Sequence, residues 1–323
     1  MTAEYGDWTP TGRKTAGPDS ELVELSGADG AVRTAITYHE RYAAMEPLTT
    51  SVELVRSFME FPMVMGMADM ADARIGEGVF IYDTGPVIPI VDVVRAYRDK
   101  RGAAGIKAGL ELAREVALIL QEAADNGPMH NIYSSTGLTP WRLALTSDGA
   151  AVVLGYGLPQ IQMVDLREGR DEKPREENFY YCPPERLTSG YEDISSDVFA
   201  LALICYELMT GKPLYEGKTE ELETIVKMGQ AQTLMMKDKA LPAAIRDVFV
   251  QALAFDPSNR WDSPAEFAAA IDGVMNGAKG KSLAEVAKEV APTLRKGKSL
   301  RSTTAAPASA PAGRVTRSRT RTD

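Results

Sequence analysis

The 323-residue sequence predicts an α+β fold, with strands gathered on the amino-terminal side and helices over the remainder. Two observations predict it. Up to residue 85 the apolar runs are short and punctuated by glycine, which is strand and turn chemistry. From Ile90 onward apolar residues recur at helical spacing over much longer stretches.

Taken in order, residues 1–20 hold Gly, Pro, Asp and Thr without an apolar run. They read as a disordered leader, and as neither a signal peptide nor an anchor. Residues 22–25 and 31–37 flank Ser-Gly-Ala-Asp-Gly and predict a hairpin, with Gly27 and Gly30 in the turn. A short amphipathic helix is expected at 51–59, with Leu54, Val55 and Phe58 on one side. Residues 79–85 read as a further strand leading into a connecting segment.

Helices are expected at 90–99 and 106–125, the second with Leu110, Ala113, Ala117, Leu120 and Ala124 on one face. Thr-Ser-Asp-Gly between the apolar runs 143–145 and 151–154 is a hairpin turn signal. The stretch 198–210 is apolar on nearly every face, as a helix buried inside a large domain must be. Ser195 or Ser196 is placed to cap it, and Gly211 and Pro213 to stop it. Further helices are predicted at 220–229, 242–254 and 264–276, and a short amphipathic one at 281–293. Residues 294–323, rich in Ser, Thr, Ala, Pro and Arg, read as disordered.

With 44% apolar residues the chain can bury a sizeable core. Its two cysteines, Cys182 and Cys205, are too few for a disulfide framework and read as reduced thiols. No apolar run is long enough to cross a bilayer, so no transmembrane segment is predicted and a cytoplasmic location is the default. Neither His39 nor His130 has a neighbour at metal-ligand spacing. The Met-rich run 59–70 reads as small-lobe core rather than partner surface.

The net charge of −9 conceals two opposite parts. Residues 277–323 carry +8 and residues 1–276 carry −17. The cations cluster at Arg295, Lys296, Lys298 and Arg301, then at Arg314, Arg317, Arg319 and Arg321. Such a tail is suited to an acidic surface or to folding back on the acidic globule. Without interleaved aromatics it does not suit specific nucleic-acid recognition.

Five short motifs in order then point to a family. Gly-Leu-Thr-Pro at 137–140 and Gly-Tyr-Gly at 155–157 fall where that family has D-L-K-P and D-F-G. Tyr-Cys-Pro-Pro-Glu at 181–185 is similar to Y-x-A-P-E, and Ser-Ser-Asp-Val-Phe at 195–199 to S-D-V-W. Asp-Pro-Ser-Asn-Arg at 256–260 is similar to D-P-x-x-R. The chain therefore resembles a protein kinase of the serine/threonine type. The resemblance implies a two-lobed kinase-like fold with a reduced β-rich N-lobe and a mainly helical C-lobe. The expected units are a leader (1–20), the N-lobe and hinge (21–85), the C-lobe (86–276) and a basic tail (277–323).

In that register the charge-handling positions are altered. Thr37 stands at the strand lysine, Gly137 at the catalytic Asp, Thr139 at the catalytic-loop Lys, Arg142 at the metal-holding Asn, and Gly155 at the metal-binding Asp. Arg33 is the one nearby substitute for the lysine, against its reading as a surface arginine beside Glu21 or Glu24. No glycine-rich loop is recognisable, since 26–30 is too short and acidic. The retained residues are structural by resemblance: Glu185 and Arg260 as a buried ion pair, and Asp197 bonded to the loop near Thr136 and Gly137.

The resemblance implies a pseudokinase, a protein-binding scaffold or allosteric regulator in signalling, whose partner is an active kinase or its substrate. No metal or other cofactor is implied. Nucleotide binding without metal stays open at a cleft beside Phe80, Tyr82 and Asp83. The alternatives are a divergent ATP-dependent kinase or nucleotide transferase, and an electrostatic adaptor working through the tail.

Overall fold

The structure, a computed structural model, describes residues 5–59, 64–100, 102–127, 132–169 and 174–294. Its amino-terminal lobe is an antiparallel sheet of β1 (Thr9–Ala16), β2 (Ser20–Ser26), β3 (Val32–Tyr38), β4 (Asp69–Arg74) and β5 (Val79–Asp83), in the order β1-β2-β3-β5-β4. Helix α1 (Glu46–Met59) packs against it. A second sheet, β6 (Val87–Pro89), β7 (Leu143–Thr146) and β8 (Ala151–Val153), roofs the helical lobe.

That lobe contains α2 (Ile90–Asp99), α3 (Ile106–Asn126), α4 (Ile161–Arg167), α5 (Glu176–Phe179), α6 (Pro184–Leu187) and α7 (Ile194–Thr210). It continues with α8 (Thr219–Lys227), α9 (Gln230–Lys237), α10 (Ala243–Ala252), α11 (Pro264–Met275) and α12 (Leu283–Leu294). Helix α7 runs through its centre, with every residue from Ser196 to Met209 buried. Its predicted all-round apolarity is thus matched by all-round packing, chiefly on α3. The N-cap is Asp193 rather than Ser195 or Ser196. Its carboxylate accepts from the Ser195 N–H at 2.9 Å, while the Ser196 hydroxyl returns to the Asp193 N–H in a capping box.

Alternation along the strands divides the small lobe's apolar residues into two cores. Val23, Leu25, Ala35, Val79 and Ile81 pack on the outer face under Tyr5 and Trp8. Leu22, Ile36, Tyr38, Phe80 and Tyr82 face the helical lobe, where they meet Val52 and Val55 of α1 with Ala144, Leu154 and Leu158.

Several expectations are corrected. Residues 9–16, assigned to a disordered leader, form β1, paired with β2 from Thr9 opposite Ser26 to Ala16 opposite Glu21 with a register shift between Pro10 and Lys14. Mostly exposed side chains give this edge strand no apolar alternation to detect. Helix α1 begins at Glu46, five residues early, and turns Val52 and Val55 inward while Leu54 is exposed. Helix α9 was not anticipated. Gly229 breaks it from α8 in a left-handed conformation, with φ 60°.

The boundary at 277 also moves. Helix α12 belongs to the folded lobe, burying Leu283, Val286, Ala287 and Val290 against α3, α2 and the second sheet. The Leu283 N–H donates to Glu111 at 2.7 Å, and Tyr97 donates to Glu289 at 2.8 Å. The tail cations from Arg295 to Arg321, and His130, lie outside the described residues.

Candidate functional site: the cleft between the lobes

Period-two alternation decides which residues of β3 enter the cleft. Thr37 points to the outer face, within hydrogen-bond distance of the Tyr5 hydroxyl (3.3 Å). There it borders an open hollow of about 740 Å³ shared with Lys14, Glu21, His39 and Glu77. The inward neighbours are Ile36 and Tyr38. Thr37 is therefore one residue out of register for the strand lysine, and a one-residue slip exchanges the faces of a strand. Arg33 lies on the outer face too, against Asp83 at 2.7 Å and Asp29 at 3.3 Å and over the Trp8 ring. It does not reach the cleft, and its acidic partners are not Glu21 or Glu24.

Tyr38 takes the inward place. Its hydroxyl accepts from Arg142 Nη2 at 2.7 Å and donates to the Pro159 carbonyl at 2.8 Å. Burial pushes the phenol well above its ordinary range, with the Arg142 charge opposing. Among the described side chains of helix α1 no carboxylate reaches this face: Glu46 and Glu53 are exposed, and Leu48, Val52 and Val55 turn inward.

Arg142 is buried at 5% exposure. Its Nη1, like the Tyr82 hydroxyl, is buried without a hydrogen-bond partner among the described residues. The same Nη1 crowds the position where a side chain on residue 155 would start. A Cβ on Gly155 would lie 2.7 Å from it and 2.6 Å from Ile36 Cδ1. Gly155 itself has φ +62°, which side chains rarely adopt.

A Cβ on Gly137 would lie 2.8 Å from the Leu158 carbonyl oxygen, closer than real contacts allow. Thr139 is buried, and its carbonyl accepts from the Arg142 N–H at 2.8 Å, making a turn of the segment.

The loop joining β1 to β2, residues 17–19, folds down onto the helical lobe. Ala16 O accepts from Trp141 Nε1 at 2.8 Å, and Pro18 O from Gln162 Nε2 at 2.6 Å. The Asp19 carboxylate accepts from the Ile161 N–H at 3.0 Å, and Thr15 Oγ1 donates to Asp92 at 2.7 Å. Burial raises the Asp19 pKa; the Arg142 charge and the Ile161 bond act against it. Each such bond contributes about 1 kcal/mol net, so together they hold the lobes closed.

Phe80 and Tyr82, expected to border a nucleotide cleft, are both under 2% exposed and join the inward core. Asp83 faces outward to Arg33. Between the underside of the sheet and the segment after β5, a hollow touching Thr15, Leu22, Thr34, Val87 and Pro89 measures about 20 Å³. That is room for a water molecule, against the 300 Å³ or more of ordinary ligand pockets.

Below the cleft the retained polar residues are fully engaged. Arg260 grips Glu185 through two nitrogens at 2.6 and 2.9 Å, and Ser196 also donates to Glu185. The hydrogen bonds from Arg260 and Ser196 hold the Glu185 pKa below normal against its burial. Asp197 accepts from the Ser135 N–H at 2.7 Å, two residues ahead of Gly137. Burial raises its pKa to about 7 although Ser135 bonds oppose this. Next to Ser135, Thr136 has φ 55°, an unusual backbone for a β-branched residue that the surrounding bonds sustain.

Sequence reasoning found Arg142, Gly137 and Gly155 and missed Asp19, Tyr38 and Trp141. The usable signal was Gly17-Pro18-Asp19-Ser20, a turn sequence between two β-compatible runs. Among the described residues no group of three or more His, Cys, Asp or Glu is placed to hold a metal ion, and no helix is long and apolar enough to cross a membrane.

Residues 166–269 match the protein kinase domain family. The chain is 22% identical over 271 residues to a probable serine/threonine-protein kinase of Clostridium perfringens, covering 78% of this chain and 38% of that one. It is 24% identical over 213 residues to the serine/threonine-protein kinase PknB of Mycobacterium tuberculosis, covering 62% and 33%. The chain thus spans about a third of the length of these curated relatives. Among solved structures, the PknI kinase domain of M. tuberculosis superposes with a TM-score of 0.56 at 17% identity, over 84% of this chain and 99% of that one.

Proposed function

We propose that this chain, a member of the protein kinase-like family, is a pseudokinase that acts as a protein-binding scaffold or allosteric regulator. Its partner is a protein, an active kinase or that kinase's substrate. What supports this reading is the burial of Ile36, Tyr38, Phe80 and Tyr82 in one apolar core on the face of the sheet turned toward the helical lobe, the side on which a kinase holds its nucleotide.

The altered positions support it further. Phosphoryl transfer depends on positioning and on charges placed to hold metal and phosphate. Losing one preorganised electrostatic group costs about 3 to 4 kcal/mol of transition-state stabilisation. Here Gly137 and Gly155 have neither carboxylates nor space for them. What is kept, Glu185 with Arg260 and Asp197 with Ser135, maintains shape. A shape and a surface are what a scaffold requires.

The kinase relatives favour a second reading, a divergent kinase. The assay that separates the two is transfer of labelled phosphate from magnesium-ATP to the chain itself and to a basic substrate protein. The pseudokinase reading predicts no transfer above that of heat-denatured protein. Time-dependent labelling would overturn it in favour of the kinase.

A further inference from the structure

Helix α4 belongs to both lobes at once. Its first residue, Ile161, packs in the small-lobe core with Ile36 and Phe80, while Met163, two residues on, packs in the core of the helical lobe. Between them Gln162 is 2% exposed and uses both ends of its amide. Nε2 donates to the Pro18 carbonyl at 2.6 Å, and Oε1 accepts from the Arg175 N–H at 2.9 Å and from Asn178 Nδ2 at 2.8 Å. One side chain thus joins the 17–19 loop of the small lobe to α4 and α5.

The bonds continue from there. Asn178, fully buried, accepts from Gln160 Nε2 at 3.2 Å, and Gln160 accepts in turn from Arg186 of α6. Glu192, ahead of α7, holds Arg186 at 2.9 and 2.7 Å. A buried polar network of this kind is stable only when complete, because a stranded donor or acceptor in a dry interior costs more than its bond contributes. When the 17–19 loop lifts, the Ile161 N–H loses Asp19, Gln162 loses Pro18, and Arg175 Nη1 loses the Gly17 carbonyl at 3.5 Å. Water then reaches the amides that hold α5 in place.

We infer that the 17–19 loop, α4 and α5 open and close as one unit, jointed at the Gln162 and Asn178 amides, so that the seating of the small lobe sets the helical-lobe surface around α4 and α5. Such a unit is the two-state element that an allosteric regulator requires, and its use in regulation rests on the pseudokinase reading. A protein partner that binds the seated α4 and α5 holds the lobes shut, and one that displaces them parts the lobes. Linkage makes the coupling reciprocal.

The test is amide hydrogen exchange of the full chain without nucleotide, in two variants that act from opposite ends. In wild type the Val164 and Asn178 amides, bonded to the Gln160 and Arg175 carbonyls, should exchange faster than the amides of α7, as members of a unit that opens short of global unfolding. Thr15→Val removes the bond that holds the end of β1 on Asp92 of α2, and none of the bonds to α4 or α5. It should speed exchange at Val164 and Asn178 by about five-fold, the equivalent of one hydrogen bond. Gln162→Leu keeps the side chain's bulk and removes the joint. It should speed exchange by at least as much at the Gly17 and His39 amides, which are bonded to the Ser20 and Asp19 carbonyls.

Unchanged exchange at Val164 and Asn178 in Thr15→Val would overturn the coupling, as would unchanged exchange at Gly17 and His39 in Gln162→Leu. Wild-type protection of Val164 and Asn178 equal to that of α7 would overturn it too, since they would then open only with the whole molecule. If Gln162→Leu fails to fold, Thr15→Val carries the test alone with the same outcomes. Labelled phosphate transfer by the chain would sink the pseudokinase reading and leave the exchange result standing, so the two fail by separate readouts.

Discussion

At Gly137 and Gly155, which we propose stand where an active kinase has carboxylates, the surroundings leave no room for a side chain. Introducing a carboxylate at 137 would drive a Cβ to 2.8 Å from a backbone carbonyl. We predict that Gly137→Asp destabilises the protein by about 1 to 3 kcal/mol, as overpacking does, and that Gly137→Asp with Gly155→Asp still transfers no phosphate. Denaturant unfolding and the labelling assay check the two parts. Asp197 yields a prediction in pH. Its folded pKa of about 7 lies above the ordinary carboxylate value. Its contribution is complete below about pH 4, where it is protonated in both folded and unfolded states, and is lost as pH rises toward 7. Asp197→Asn should remove that component, flattening the fall in unfolding free energy between pH 4 and 7. An unchanged slope would show that the carboxyl titrates normally.

Among the elements, the buried pair of Glu185 and Arg260 ties α6 to the segment ahead of α11. Removing one partner strands the other charge, so Glu185→Ala should cost about 3 to 5 kcal/mol in denaturant unfolding. A loss below 1 kcal/mol would mean that water or a neighbour replaces the acid. This pair was legible in the sequence because it sits inside motifs. So was α7, whose apolarity on all faces leaves only the middle of a large lobe to occupy. β1 was not legible: an edge strand with solvated side chains carries no pattern, and its role depends on backbone pairing with β2. Missing β1 hid the 17–19 loop, and with it Asp19. Thr37 was misplaced because a motif match fixes position to within a residue, whereas the face of a strand reverses with each residue.

At the scale of the whole molecule, α12 belongs to the folded lobe. Ending the chain before Leu283 removes four buried apolar residues, and at about 1.5 kcal/mol or more for each larger side chain the loss should be on the order of 4 kcal/mol. Ending it after Leu294 should leave the unfolding midpoint unchanged; equal losses from both truncations would contradict the assignment of α12 to the core. The central claim is that the two lobes close on each other, through Asp19, Tyr38, Arg142 and Trp141, in place of a nucleotide. The most direct measurement is the melting temperature of the wild-type chain in millimolar ATP with and without magnesium, since any ligand of the native state must raise it. The account predicts no shift in either condition, and a magnesium-dependent rise would contradict it.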